Sequence, residues 1–252
     1  MELVKNGTAF TVKGFMWDGV YKYEKYNRHT DDNGSRHYEV GEYKVPSVTT
    51  ILSKTASEDN KKKLDEWRER VGYTEAARIT NKAATRGTEM HFVLENYING
   101  IGYLNLSEKG AEARLMAHEI IKNLPELSKV FGSEVSLAYD DRWAGSTDLV
   151  CEFKEKPTIL DFKQSNKPKR EEWIEDYYYQ IAAYSLAHKK QYGDIKTGLI
   201  VICTPDLIFQ RFLMNEEKLA EYEEKWLERV DRYHRQFNTS RSSSEASEQP
   251  TG

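Results

Sequence analysis

Asp161 and Lys163 stand one residue apart in TILDFKQSNK (residues 158–167), a stretch that otherwise begins like a buried strand. Side chains alternate across a strand, so the carboxylate and the ammonium project from one face and Phe162 from the other. Asp148 lies 13 residues before Asp161, in a second strand-like run, and the short turn KEK lets a hairpin bring the two carboxylates together. Two carboxylates held close repel each other and raise a pKa unless a hard cation sits between them. Mg²⁺ suits that place, because it takes oxygen ligands, keeps several waters and often uses only one or two carboxylates plus a substrate phosphate. Lys163 would then stand beside the attacking water, to orient it, help deprotonate it, or stabilise charge developing on phosphate. An exposed strand face carrying an ordinary ion pair explains the same spacing equally well.

Three further groups bear on that choice. Gly145, in WAGSTD, allows the backbone to bend or another part of the chain to approach closely; a strand bulge is the alternative. In EEWIEDYYYQIAAYSLAHKKQYG, Trp173, Tyr177, Gln180 and Tyr184 fall on one helical stripe. An aromatic core would explain the stripe, but an amide buried among aromatics needs partners, and a short loop lets the stripe face the charged strand. In RGTEMHFVLENYI, His91 sits at the margin of an apolar face of Met90, Val93, Leu94, Tyr97 and Ile98, with Gly87 and Glu95 nearby; from position alone it reads as a structural histidine.

The elements that must position these residues follow from periodicity and turn chemistry. Residues 7–15, 20–26 and 36–46 read as short strands around the polar loop HTDDNGS. Pro46 and Ser47 start a helix through VTTIL. Residues 57–100 are helical in two portions, and a further helix covers about 108–130. EVSLAYD, WAGSTDLVCEF and TILDFKQ form a meander. A strong helix, the strands TGLIVICT and LIFQRFLM, and an amphipathic helix to residue 237 complete the pattern. NTSRSSSEASEQPTG (238–252) has almost no apolar residue and is expected to be disordered. The fold class is therefore mixed α/β: a mixed sheet with helices packed on it.

Composition sets the limits. The 252 residues suffice for one large domain or two small ones. A net charge of −4 excludes a protein coated in positive charge, although a local basic groove remains compatible with it. Cys151 and Cys203 read as buried, reduced thiols, and two cysteines fall short of the four thiolates of a cubane iron–sulfur cluster. No run approaches the ~20 apolar residues of a membrane span, and the N-terminus has neither a signal core nor a transit-peptide pattern. A cytoplasmic protein is expected.

Taken together, VPSVTTIL (45–52), RGTEMH (86–91), GSTD (145–148), DFK (161–163) and QIAAY (180–184) resemble the PD-(D/E)XK nuclease superfamily and its RecB-like exonucleases, a group with mitochondrial and phage members. The motifs occur in the family's order over about 140 residues. The resemblance implies a restriction-endonuclease-like core. It divides the chain into N-terminal strands (1–46), a nuclease domain (47–237) with a helical part (47–131) and a catalytic core (132–237), and a tail (238–252). It implies Mg²⁺ or Mn²⁺ held by Asp148, Asp161, His91 and the carbonyl of Phe162, with Lys163 catalytic and Gln180 and Tyr184 supporting. It makes Ser47, Thr49 and Thr50 phosphate-contact candidates, with Arg86, Lys167, Lys169 and Arg170 as weaker ones. Two departures stand out: Thr147 replaces the family's proline, and Gln164 stands where threonine is expected. Glu134 is a further acid that could support the site.

The implied activity is metal-dependent hydrolysis of DNA phosphodiesters by an exonuclease acting on single strands or free ends, with bases stacked on aromatic side chains. The alternatives are an endonuclease on the same fold and an inactive nucleic-acid-binding protein. DNA is the expected partner, with replication or recombination proteins as the class of protein partner. The setting would be the host cytoplasm if the chain is phage-encoded.

Overall fold

The computed structural model describes residues 2–4, 7–11, 15–104 and 107–245. The N-terminal part contains strands β1 (Glu2–Val4), β2 (Gly7–Thr11), β3 (Met16–Trp17), β4 (Arg28–Thr30), β5 (Arg36–Val40) and β6 (Tyr43–Pro46). Helices α1 (Val48–Lys54), α2 (Glu58–Val71) and α3 (Tyr73–Ile98) follow, then β7 (Ile101–Leu104) and α4 (Glu108–Lys122). The meander is β8 (Leu127–Tyr139), β9 (Trp143–Phe153) and β10 (Lys156–Gln164); α5 (Glu175–Gln191), β11 (Thr197–Cys203), β12 (Phe209–Met214) and α6 (Glu216–Glu245) close the chain.

The fold is a mixed α/β architecture around a six-stranded sheet of order β12-β11-β10-β9-β8-β3. The meander strands and β11–β12 pair antiparallel, whereas β10 and β11 run parallel because α5 returns the chain across the sheet. β11 is buried along its whole length, as a central strand covered on both faces must be. Side chains alternate between two apolar layers. Val150, Ile159 and Ile200 join α1, α5 and α6 on one face, while Leu149, Leu160, Phe162 and Val201 join α3 and α4 on the other.

A tight turn closes the second hairpin of the meander. Lys154 and Glu155, both at positive φ, close the β9–β10 hairpin as a two-residue loop, so Lys156 of the expected KEK turn already pairs with Phe153. A second antiparallel sheet, β4-β5-β6, packs Tyr38 and Val45 on Ala138 and Ala144 of the β8–β9 hairpin, and a bridge between Ser47 and Ala144 joins the two sheets. A third small sheet has the order β1-β2-β7.

Several sequence expectations are corrected. Residues 20–26 form no strand; Tyr21 and Tyr23 instead pack their rings against His188 and Tyr192, so side-chain burial replaces ladder pairing. The helix expected over 108–130 ends at Lys122, since Pro125 cannot continue it, and residues 127–133 form the first half of β8. Two register shifts in that half break the alternation that marks a strand in sequence. Gly72, at φ +89°, separates α2 from α3. β7 carried no recognised signal. The backbone of α6 continues helically to Glu245, into the stretch expected to be disordered, because extending a formed helix costs far less than starting one; residues 246–252 lie outside the described residues. Among the described residues no helix is long and apolar enough to cross a membrane.

Candidate active site

β9 and β10 pair as far as Leu149 and Leu160 and then part. In that opening the next residues of the two strands, Asp148 and Asp161, stand side by side. Asp148 Oδ2 accepts the Phe162 amide at 2.6 Å, replacing a ladder bond with a charge-assisted one. Asp148 Oδ1 lies 3.2 Å from His91 Nδ1. Asp161 is 4% exposed; its Oδ2 has no well-directed hydrogen bond but lies against Lys163 Nζ. Phe162 points away into the layer shared with α3 and α4, as strand alternation requires. Lys163 Nζ also sits 5.2 Å from the centre of the Tyr177 ring.

Burial pushes both carboxyls up. For Asp148 the imidazole of His91, the Lys163 ammonium and the Phe162 amide outweigh it and hold the group below the usual carboxylate range. For Asp161, burial and the Asp148 charge prevail over Lys163, and its pKa is raised. Burial pulls Lys163 down, but Asp161 and Asp148 more than offset it and keep the ammonium charged.

These groups open into a cavity of about 620 Å³. Gly87, His91 and Glu95 line it from successive turns of α3, Gln180 and Tyr184 from α5, and Gly145 from β9. A Cβ on Gly145 would fall 2.6 Å from Tyr184 Cε1, so this glycine admits the tyrosine ring rather than a bulge. Gln180 Oε1 is buried without a hydrogen-bond partner. Glu134 sits on β8 between Ser133 and Val135, whose partners Leu149 and Thr147 flank Asp148. Its φ of +52° is unusual for a non-glycine residue, and burial together with Asp148 and Glu95 pushes its pKa up to about 7. Ligand atoms of His91, Glu134 and Asp148 all lie within 4.8 Å of one another.

Other expected residues fall elsewhere. Trp173 belongs to a short 3₁₀ turn before α5 and is 58% exposed, so it leaves the stripe formed by Tyr177, Gln180 and Tyr184. Ser47 caps α1 by accepting the Thr50 amide at 3.0 Å, and the Thr50 hydroxyl is shared between the Arg36 amide and carbonyl; both side chains are buried, and of the three hydroxyls Ser47 and the less buried Thr49 line the cavity whereas Thr50 does not. Arg86 is buried and donates to Gln164 Oε1 and Asn166 Oδ1, which engages its guanidinium with protein rather than leaving it to meet phosphate. Lys167, Lys169 and Arg170 follow β10 outside the cavity; Gln210 holds the Lys169 backbone, and Arg170 lies over the Trp173 ring. Sequence reasoning missed Arg28 and Arg36, which line the cavity from β4 and β5. It also gave Glu95 no role, although its i+4 spacing from His91 puts both on one side of the helix.

Comparison with known proteins finds mitochondrial genome maintenance exonuclease 1 of Mus musculus, 29% identical over 201 residues, covering 75% of this chain and 59% of that protein. The protein of the same name from Xenopus tropicalis is 27% identical over 202 residues, covering 75% and 57%. That from Homo sapiens is 25% identical over 201 residues, covering 75% and 58%. The chain thus spans less than two thirds of the length of these relatives. The family profile of the PD-(D/E)XK nuclease superfamily matches residues 50–247, a span that holds Asp148, Asp161, Lys163, His91 and Gln180. By that match the chain belongs to the PD-(D/E)XK nuclease superfamily.

Proposed function

We propose that the protein is a metal-dependent deoxyribonuclease that hydrolyses DNA phosphodiesters as an exonuclease, acting on single strands or free ends. The observation that carries this reading is the convergence of His91, Glu134 and Asp148 within 4.8 Å, beside the Asp161–Lys163 pair, in one cavity. This donor set fits a divalent cation. Carboxylate oxygens with a single imidazole suit Mg²⁺ or Mn²⁺, and the buried Gln180 Oε1 that lacks a partner leaves an acceptor free for a ligand. Asp148, Asp161 and His91 would hold the ion, with the Phe162 carbonyl as a further ligand. When bound, it would neutralise phosphate charge and lower the pKa of water.

The chain's own residues carry the rest. The Lys163 ammonium, kept charged by Asp161 and Asp148, would hold a proton next to the scissile phosphate and stabilise the charge that develops there. The Phe162 amide and His91 orient Asp148. Tyr184, buried against Gly145, fixes the wall on which Gln180 stands one helical turn earlier. Residues 47–237 would form the nuclease domain. Thr49, at the cavity wall beside the more deeply buried Ser47, would be the hydroxyl of VPSVTTIL that meets a phosphate.

End-labelled linear DNA and closed circular single-stranded DNA, incubated with Mg²⁺ or Mn²⁺, provide the test. Degradation of the linear substrate alone is expected, with Asp161→Ala and Lys163→Ala inactive. Cutting of the circle would replace the reading with an endonuclease. Intact linear DNA that is nevertheless bound would replace it with an inactive binding protein.

A further inference from the structure

The cavity has two chemically different sides. Glu89, Glu95, Glu134, Asp148 and Asp161 line the space together with His91 and Lys163, and among the described residues the other side-chain cations lining it are Arg28 and Arg36. Both come from the β4–β5 hairpin, which precedes the span matched by the family profile. The antiparallel register pairs Arg28 with Tyr38 and Thr30 with Arg36, so the two arginines sit diagonally on one face of the hairpin. Neither forms an ion pair with a carboxylate of the described residues, although the cavity is rich in acids.

The backbone that carries these arginines is well anchored. The Arg36 amide donates to Thr50 Oγ1 at 2.8 Å, and its carbonyl accepts from the Thr50 hydroxyl at 2.9 Å and from the Ser47 amide at 2.9 Å. Arg28 is the cross-strand partner of the buried Tyr38, which packs on the β8–β9 hairpin that carries Asp148. The strand pairing and these bonds therefore set where both side chains leave the backbone relative to the acidic floor. Guanidinium groups with no carboxylate partner at a cavity wall favour an oxyanion with two oxygens that match their planar fork, and a tetrahedral phosphate offers such a pair.

From this we infer that Arg28 and Arg36 grip the sugar-phosphate backbone of the substrate strand, at phosphates next to the one held over Asp148 and Asp161. This makes the N-terminal sheet part of the substrate site. The inference rests on the nuclease reading above and extends it to residues outside the matched span. It assigns Thr49, beside Arg36, to the same phosphate path.

The test measures binding of a single-stranded oligonucleotide by fluorescence anisotropy, with EDTA present, between 50 and 200 mM salt. Arg28→Gln and Arg36→Gln should each weaken binding roughly tenfold and flatten the dependence of log K on log[salt] by about 0.7, with about 1.4 for the double variant. Arg36→Lys should restore the slope but not the full affinity, and in the cleavage assay the loss should fall on KM. Lys196→Gln, beside Pro157 at the opposite end of β10 from Lys163, serves as the control and should change the slope less. A double variant with wild-type affinity and slope, in a protein whose wild type binds and cleaves, overturns the inference alone. A wild type that neither binds nor cleaves overturns the nuclease reading beneath it. If Arg36→Gln lowers thermal stability, Arg28→Gln decides the matter, since its backbone takes no part in the Thr50 contacts.

Discussion

Arg86 of α3 donates from Nε and Nη2 to Gln164 Oε1, at 3.0 and 2.7 Å, and so ties the helix that carries His91 to the strand that carries Asp161 and Lys163. Gln164 is the residue that departs from the family's threonine, and this contact explains why a longer amide fits. Gly87, one residue beyond Arg86, leaves the space, since a Cβ there would stand 3.1 Å from Gln164 Cγ. Arg86→Met removes every donor while keeping much of the volume, stranding Gln164 and Asn166. It should cost about 2–3 kcal/mol of stability in urea unfolding. A loss below 0.5 kcal/mol would show that the tie is dispensable.

A second prediction concerns pH. His188 is fully buried on α5, with Nδ1 2.7 Å from the Gly193 carbonyl and Nε2 3.0 Å from the Tyr23 hydroxyl. The neutral ring satisfies both, donating from Nδ1 and accepting at Nε2. Burial lowers its pKa below the ordinary 6.5, against a smaller opposing effect of the Gly193 bond. The unfolded chain therefore takes up a proton that the folded chain refuses, so this group's contribution is full above pH 6.5 and is lost as pH falls through 6.5 towards the folded value. The slope cannot exceed about 1.4 kcal/mol per pH unit. Unfolding titrations of His188→Gln should be flatter than wild type between pH 5 and 6.5, and equal slopes would refute the assignment.

Gly145 provides a steric prediction. With Tyr184 Cε1 2.6 Å and Val48 Cγ2 3.2 Å from the position of a Cβ, Gly145→Ala must displace a buried ring or the strand itself. A loss of about 1–3 kcal/mol is expected. Because Tyr184 stands one turn from Gln180, cleavage should fall by more than stability predicts. A Tyr184→Phe protein that melts like wild type would show that packing of the ring, rather than its hydroxyl, is what Gly145 serves.

Much of the core architecture was legible in the sequence because β9, β10 and β11 each carry an apolar run (LVC, TIL and LIVIC) with turns between them, and alternation at Asp161–Phe162–Lys163 assigns faces without ambiguity. β8 was half-hidden, since its two register shifts erase the period of two. The Tyr21–Tyr23 segment misled because tyrosine spacing reports burial and not pairing. In the candidate site, spacing suggested that Asp148 and Asp161 lie close together but fitted an ordinary ion pair equally well, and His91 entered only through the family resemblance: one histidine on a helix margin has no partner visible in sequence. Arg28 and Arg36 had no signal at all. Their place at the cavity wall depends on how a separate sheet docks on the β8–β9 hairpin, which local pattern does not encode.

The proposed ligand set predicts how a cation should act on stability, independently of cleavage. An ion that binds only the folded chain adds about 2.7 kcal/mol when present at a hundred times its Kd, which for a chain of this size raises Tm by roughly 5–10 °C. EDTA-treated protein titrated with Mn²⁺ should show that rise. Asp161→Asn should abolish it, because the buried carboxylate is replaced by a neutral amide. His91→Ala should reduce it for Mn²⁺ more than for Mg²⁺, since the imidazole nitrogen suits the softer ion better. Lys163→Ala separates binding from chemistry: the ammonium that lies against Asp161 is removed, so the Mn²⁺ shift should be retained or enlarged while hydrolysis is lost. An undiminished shift in Asp161→Asn would place the ion elsewhere, and a lost shift in Lys163→Ala would make the lysine part of the binding site rather than of the reaction.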